Sequence, residues 1–291
     1  MKFASINTAT GPNYGVVRPD GIAPVSEAWR HRFPTLRDAI AANALEGAAE
    51  AGQGIIAFDE ADFIPLIPNP GKVICVGKNY AAHAAESGRG PAEFPNLFAR
   101  FTDTLVGHGC PLVRPVLSSS FDFEGELAVI VGKGGRHVPE AEAFDHIVGY
   151  TCFHDGSVRD FQFGHSLFAG KNFASTGSIG PVLTTADEVG DPQMLEIITR
   201  LNGEIVQHGY TRDMIFTCAW LITYVSGFIG LEPGDVIATG TPEGVGFARE
   251  PALWLKDGDT VEVEIPGIGL LRNSVVSERG GKPQTRQTHV R

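Results

Sequence analysis

The sequence predicts a mainly β, α+β fold, and three observations carry that prediction. From Val73 onward short apolar runs recur at close intervals between Gly, Pro and Asp: "VICVG", "NLFARF", "ELAVIVG", "HIVGYTCFHD", "EIITRLNGEIVQ", "DVIATG", "TVEVEI" and "GLLRNSVV". Strong helical patterns are few in that region. Strands at such close intervals favour a mainly β domain over a doubly wound α/β one, and the sequence carries no internal repeats and no dinucleotide or phosphate-loop glycine motif.

Taken in order, "KFASIN" and "YGVVRP" read as a hairpin around "TATGPN". The stretch "TLRDAIAANALEGAAEAG" reads as one alanine-rich helix ended by Gly52 or Gly54. Residues 1–68 thus form a small N-terminal α/β module, and the proline-rich "FIPLIPNPGK" reads as a linker into a main domain over 70–278. There, Tyr80–Ser87 is a short helix, and Arg212–Phe228 is apolar nearly all round and should be buried. "IPGIG" turns the last hairpin, and the polar residues 279–291 read as a disordered tail.

A formal charge of −11 argues against a nucleic-acid partner, whose phosphates need a basic surface. No apolar run reaches membrane-spanning length, and "MKFASINTAT" lacks the layout of a secretory signal, so a cytoplasmic location is expected. Cys75, Cys110, Cys152 and Cys218 are scattered; three lie in apolar runs and read as reduced core residues.

The chemistry concentrates in a few stretches. "SFDFEGELAVIVGK" carries Asp122, Glu124 and Glu126 on alternate positions, hence on one face of a strand, where like charges repel unless something positive sits against them. An acidic wet edge would explain them alone. However, "GYTCFHDGSVRDFQ" places another acid, Asp155, at the end of an apolar strand. Glu124, Glu126 and Asp155 together suit a hard cation such as Mg²⁺ or Mn²⁺, which takes few carboxylates and leaves the rest of its shell for water and a chelating substrate.

In "KNYAAHAAE", His83 and Glu86 share a helix face, as a surface pair or as a general base with its orienting acid. The following "SGRGPAEFP", between Ser87 and Pro95, has the Gly and Pro content of a lid loop. Arg159, Gln162 and Lys171 could grip a substrate carboxylate or oxo group, or form salt bridges. "IATGTPEGVG", with Thr239 and Thr241, is a strand entering a glycine-rich turn, either structural or a carboxylate cradle.

The strings "CVGKNYAAHAAE", "DFEGELAVIVGK", "GYTCFHDGSVRDFQ", "GKNF...GP", "LNGEIVQ" and "PGDVIATGTPEGVG", in this order from about Val73 to Val276, resemble the fumarylacetoacetate hydrolase superfamily, and its acylpyruvate hydrolase-like members in particular. The resemblance implies a rolled, mixed β-sheet domain, often with a small N-terminal module, assembled as a homodimer. It implies that Glu124, Glu126 and Asp155 bind Mg²⁺ or Mn²⁺, that His83 and Glu86 activate water, and that Lys171 lies near the substrate oxygen. Arg159, Gln162 and Thr241 match substrate-contacting positions, and Tyr80, in the helix motif, joins them. Three departures are expected to face the pocket and change the substrate: "NFASTGSIGP" after Lys171, His154, and Arg100 where Lys is frequent.

The reading that follows is a metal-dependent hydrolase of a carbon–carbon bond in a 2,4-dioxo acid such as an acylpyruvate, of the kind met in aromatic catabolism. Water activated by His83 would attack the distal carbonyl, and the metal with Lys171 would stabilise the enolate left behind. Oxaloacetate-type decarboxylation and 2-oxo-enoic acid isomerisation or hydration are the alternatives, passing through the same enolate. A non-catalytic binder of metal and dicarboxylate is the rival from another class, disfavoured by the presence of both His83 and Glu86.

Overall fold

The computed structural model of the chain describes residues 1–86 and 93–279. Most of the expected lid, and the tail beyond 279, lie outside the described residues.

Lys2–Thr8 (β1) and Gly11–Arg18 (β2) form the first hairpin, and Gly21–Pro24 (β3) adds to β2. Glu27–Arg32 (α1) starts at Ser26, whose side chain accepts from the Trp29 amide. The expected alanine-rich helix is two helices, Leu36–Ala41 (α2) and Leu45–Glu50 (α3). The chain breaks at Asn43, a residue type that tolerates the left-handed φ of 50° found there. The break lets Leu36, Ile40, Leu45 and Ala48 all enter one core. Asp62–Phe63 (β4) pairs with β1, and the proline-rich stretch beyond it buries Leu66 and Ile67. Ser5 Oγ also donates to the Leu66 carbonyl at 2.7 Å, so this segment is a fixed strap and not a free linker.

The following elements are Val73–Gly77 (β5), Ala81–Glu86 (α4), Asn96–Ala99 (β6), Leu105–Val106 (β7), Leu112–Arg114 (β8), Phe121–Asp122 (β9), Gly125–Val131 (β10), Ile147–His154 (β11) and Ser157–Val158 (β12). Then come Arg159–Gly164 (α5), Leu167–Lys171 (α6), Gly177–Thr185 (β13), Ala186–Val189 (α7), Glu196–Leu201 (β14) and Glu204–Tyr210 (β15). The last are Cys218–Phe228 (α8), Val236–Ala238 (β16), Thr260–Ile265 (β17) and Gly269–Ser277 (β18). Helix α8 begins six residues later than expected, where the Thr217 hydroxyl accepts from the Trp220 amide. It is not buried all round, since Trp220 and Tyr224 are half-buried and Phe228 is exposed.

Among the described residues, the large sheet runs β3-β2-β1-β13-β11-β10-β16-β5-β6, with β4 on β1 and β7 on β13. A second sheet runs β15-β14-β17-β18-β8, and β9 pairs with β12 alone. Pairing is mostly antiparallel, with β16–β5, β13–β7 and β18–β8 parallel, so both sheets are mixed. β1 pairs with β13, so the N-terminal strands continue the sheet of the following region.

Strand β10 is buried on both faces. Leu127, Val129 and Val131 pack with Leu221, Ile222 and Val225 of α8 and with Val263 and Leu271 of the second sheet. Ala128 and Ile130 face the N-terminal side, with Phe3, Val16, Leu36 and Ile40. Apolar burial at roughly 1.5–3 kcal/mol per large side chain on both faces fixes this strand, and its N-terminal end carries the acids.

Candidate active site

Glu124 lies where the ladder changes partner. β9 pairs with β12, matching Asp122 with Ser157, whereas β10 pairs with β11, matching Gly125 with His154. The Asp155 amide donates to the Glu124 carbonyl at 2.9 Å, which sets the end of β11 beside the start of β10. Carboxylate oxygens of Glu124, Glu126 and Asp155 consequently lie within 4.8 Å of one another, all buried. Glycine is required between the two glutamates, because a Cβ at Gly125 would overlap the Thr199 hydroxyl of β14.

The charge expected against these acids comes from three cations. Lys171 Nζ donates to Glu124 Oε2 at 2.5 Å and to Asp155 Oδ2 at 2.6 Å. Arg159 reaches Glu124 Oε1 at 2.6 Å, Asp122 Oδ2 at 2.8 Å and Gln162 Oε1 at 2.9 Å. Arg100 Nη1 donates to Asp155 Oδ1 at 2.6 Å from behind. Burial opposes the charge on Glu124, but Lys171 and Arg159 outweigh it and hold its carboxyl below the usual range. Burial, then the charges of Asp155 and Glu124, push Glu126 well above its ordinary value. Asp122 serves otherwise: besides Arg159 it accepts from the amides of Gly246 and Phe247, at 2.7 and 3.1 Å.

The donor set fits a hard divalent cation. It consists of close carboxylate oxygens, and Glu126 carries a charge that burial and two neighbouring acids disfavour until more positive charge arrives.

His83 is buried on α4, and Glu86 Oε1 accepts its Nδ1 proton at 2.7 Å, leaving Nε2 as the basic nitrogen. The other Glu86 oxygen accepts from the Gly244 amide at 3.0 Å. Gly240 likewise donates its amide to Glu126 Oε2 at 2.9 Å. The glycine-rich turn after β16 therefore grips the protein's own carboxylates. Thr239 and Thr241 tie it to β10, donating to the carbonyls of Leu127 and Gly125.

One cavity of about 230 Å³ brings these groups together. Glu124, Glu126, Asp155, Lys171, His83, Arg159, Gln162 and Thr241 line it. Tyr80 does not; it is buried beside Met214, and its hydroxyl has no partner among the described residues. The three departures expected to face the pocket also lie outside its lining. Arg100 is behind Asp155, and His154 is a buried ring held neutral by burial and by Arg100, its pKa lowered to about 3. The lining residues that no sequence signal singled out include Lys78, Asn96, Phe98, Phe163, Leu167 and Phe247. Phe247 lies under the Arg159 guanidinium, 4.6 Å from ring centre to Cζ.

The chain thus combines mixed sheets with a cavity, at the end of β10 and β11, lined by carboxylates, cations and aromatic rings. The family model described as fumarylacetoacetate (FAA) hydrolase C-terminal matches residues 72–276, and the chain belongs to that family. The human protein named oxaloacetate tautomerase FAHD2A, mitochondrial, is 38% identical over 270 residues, covering 92% of this chain and 86% of its own. The solved fumarylacetoacetate hydrolase from psychrophilic Exiguobacterium antarcticum superposes with a TM-score of 0.82 at 33% identity, covering 96% of this chain and 100% of that one. Maleylpyruvate hydrolase from Sphingobium sp. SYK-6 does so with a TM-score of 0.78 at 28% identity, with the same coverage. Among the described residues no helix is long and apolar enough to cross a membrane.

Proposed function

We propose that this chain catalyses proton transfer at the carbon beside the keto group of a small 2-oxo acid, with keto–enol tautomerisation of oxaloacetate as its leading reaction. The observation that carries this reading is the pairing of His83 with Glu86 on the wall of the cavity that holds the three carboxylates. The likeness to proteins named oxaloacetate tautomerases over most of the chain supports it.

Glu124, Glu126 and Asp155 would hold Mg²⁺ or Mn²⁺. When bound, that ion supplies a Lewis acid for the 2-oxo oxygen. The remaining roles belong to side chains. Arg159 and Gln162 orient the substrate's C1 carboxylate, and Thr241 closes the wall beside it. Nε2 of His83 takes the proton from C3, while Glu86 keeps the ring oriented and stabilises its charged form. Lys171 donates a hydrogen bond to the oxygen on which negative charge develops. Passage of that proton from His83 through water to the oxygen gives the enol and restores neutral His83, and the reverse sequence returns the ketone.

Hydrolysis of a 2,4-dioxo acid is the second reading, supported by the likeness to maleylpyruvate hydrolase. In it the same nitrogen of His83 takes its proton from water. Loss of enol absorbance from fresh oxaloacetate, recorded with Mg²⁺ and with chelator, tests the proposal. Metal-dependent acceleration without release of smaller acids is the expected result. Cleavage of acylpyruvates with no acceleration of the enol–keto step would give the hydrolytic reading precedence.

A further inference from the structure

We propose that Lys78 reads the far carboxylate of a four-carbon dicarboxylic acid and so sets a preference for dianionic substrates; this rests on the proton-transfer reading above. Lys78 lines the cavity and holds a left-handed φ of 63° between β5 and α4. That conformation is strained for any residue with a Cβ and free of strain for glycine. It persists where neighbours over-determine it, most often at functional sites. Here the neighbours are explicit. Asn79 Nδ2 donates to the carbonyls of Phe216 and Thr239, at 2.9 and 2.7 Å, and its Oδ1 accepts from the Phe216 amide at 2.7 Å. Gly240 packs so closely that a Cβ there would meet the Val76 carbonyl at 2.9 Å and the Asn79 Cβ at 2.8 Å. The turn is thus held from both sides around a lysine that lines the cavity.

The order of atoms in the substrate places that cation. The C1 carboxylate and the 2-oxo oxygen would belong at Glu124, Glu126, Asp155, Arg159 and Lys171, which line one cavity. Arg159 and Lys171 are each held there by two carboxylates. C3 must face His83. The fourth carbon would then lie beyond it, and Lys78, five residues before His83 in the chain, lines the same cavity. Asn96, matched with Gly77 across β5 and β6, adds a polar side chain to the lining. Phe163 and Leu167, which also line the cavity, offer a carboxylate no charge.

Calorimetry on the Mg²⁺-loaded full chain tests this with two unreactive ligands of one skeleton, malate and 2-hydroxybutanoate, which differ only in a carboxylate or methyl at C4. The parent is expected to bind malate roughly ten- to a hundredfold more tightly, the range for a hydrogen bond to a charged group. Lys78→Met should erase that preference, and Lys78→Arg should restore part of it. Lys78→Gly, which relieves the backbone, should lose the preference while melting no lower than the parent, separating ligand recognition from folding. Equal weakening of both ligands in Lys78→Met would overturn the proposal. So would a parent without preference that still binds oxalate, a ligand with the chelating end alone; the C4 group would then belong to the Phe163 wall. If oxalate, malate and 2-hydroxybutanoate all fail to bind with Mg²⁺ present, the proton-transfer reading itself falls.

Discussion

Asp122 and Arg159 form a buried ion pair, with Nε donating to Oδ2 at 2.8 Å and both side chains almost wholly excluded from solvent. The pair anchors two parts of the cavity wall at once, because Asp122 also holds the amides of Gly246 and Phe247, and the Phe247 ring lies under the guanidinium. Asp122 is a positioning residue for Arg159.

Asp122→Asn should therefore act on folding. An amide would face the donors of Arg159 and leave that cation without one of its two carboxylates. Breaking one partner of a buried pair typically costs about 3–5 kcal/mol. A urea denaturation curve should show a loss of that size, with Mg²⁺ affinity of the folded fraction changed by no more than a few-fold. Intact stability with Mg²⁺ binding abolished would instead make Asp122 a ligand.

Glu126→Gln should separate metal binding from stability. Burial and the charges of Asp155 and Glu124 disfavour the Glu126 carboxylate, so the neutral isostere relieves repulsion in the metal-free protein. The metal-free variant is expected to melt no lower than the parent. In the parent, Mg²⁺ at a hundred times its Kd should add about 2.7 kcal/mol of stability. That gain should vanish in the variant. Thermal melts with and without Mg²⁺ decide it; an undiminished gain would remove Glu126 from the ligand set.

A homodimer is the expected assembly. Among the described residues, the large sheet ends on β3 and β6 and the second on β15 and β8, and strand edges of this kind call for covering. Light scattering at micromolar concentration should give twice the 31.0 kDa chain mass. A value of one chain mass would contradict it.

The strands were legible in the sequence because glycine, proline and aspartate mark their ends, as at "PGDVIATG" and "IPGIG". Two-sided burial of β10 was not, since alternate acids are compatible with one wet face, whereas Glu124 and Glu126 are buried and line a cavity. The split of α2 from α3 was hidden by an alanine-rich composition that favours helix throughout, with the break resting on Asn43 alone. In the site, residue types and local spacing marked Glu124, Glu126, Asp155 and the His83–Glu86 pair as candidates, with a wet edge and a surface pair still open, and the family resemblance supplied their expected roles. The second partners were beyond reach, because they are made by contacts far along the chain. Glu86 is held by Gly244, Glu126 by Gly240 and Asp122 by Gly246, with no local pattern to announce any of them. Lys78 stood inside the quoted "VGKNY" string, but its left-handed turn has no signature without a glycine.

The most direct test of the central claim is proton exchange at C3 of a 2-oxo acid. 2-Oxobutanoate in deuterated buffer, followed by proton NMR, reports that step without cleavage or decarboxylation. The parent with Mg²⁺ should exchange the C3 protons, and His83→Gln should be slower by the hundredfold to ten-thousandfold typical of losing a general base. Mg²⁺ affinity, measured on the same samples, should be unchanged, because His83 is outside the proposed ligand set. Exchange that proceeds undiminished in His83→Gln, or in the parent with excess chelator, would contradict the assignment of proton transfer to His83 beside a metal held by Glu124, Glu126 and Asp155.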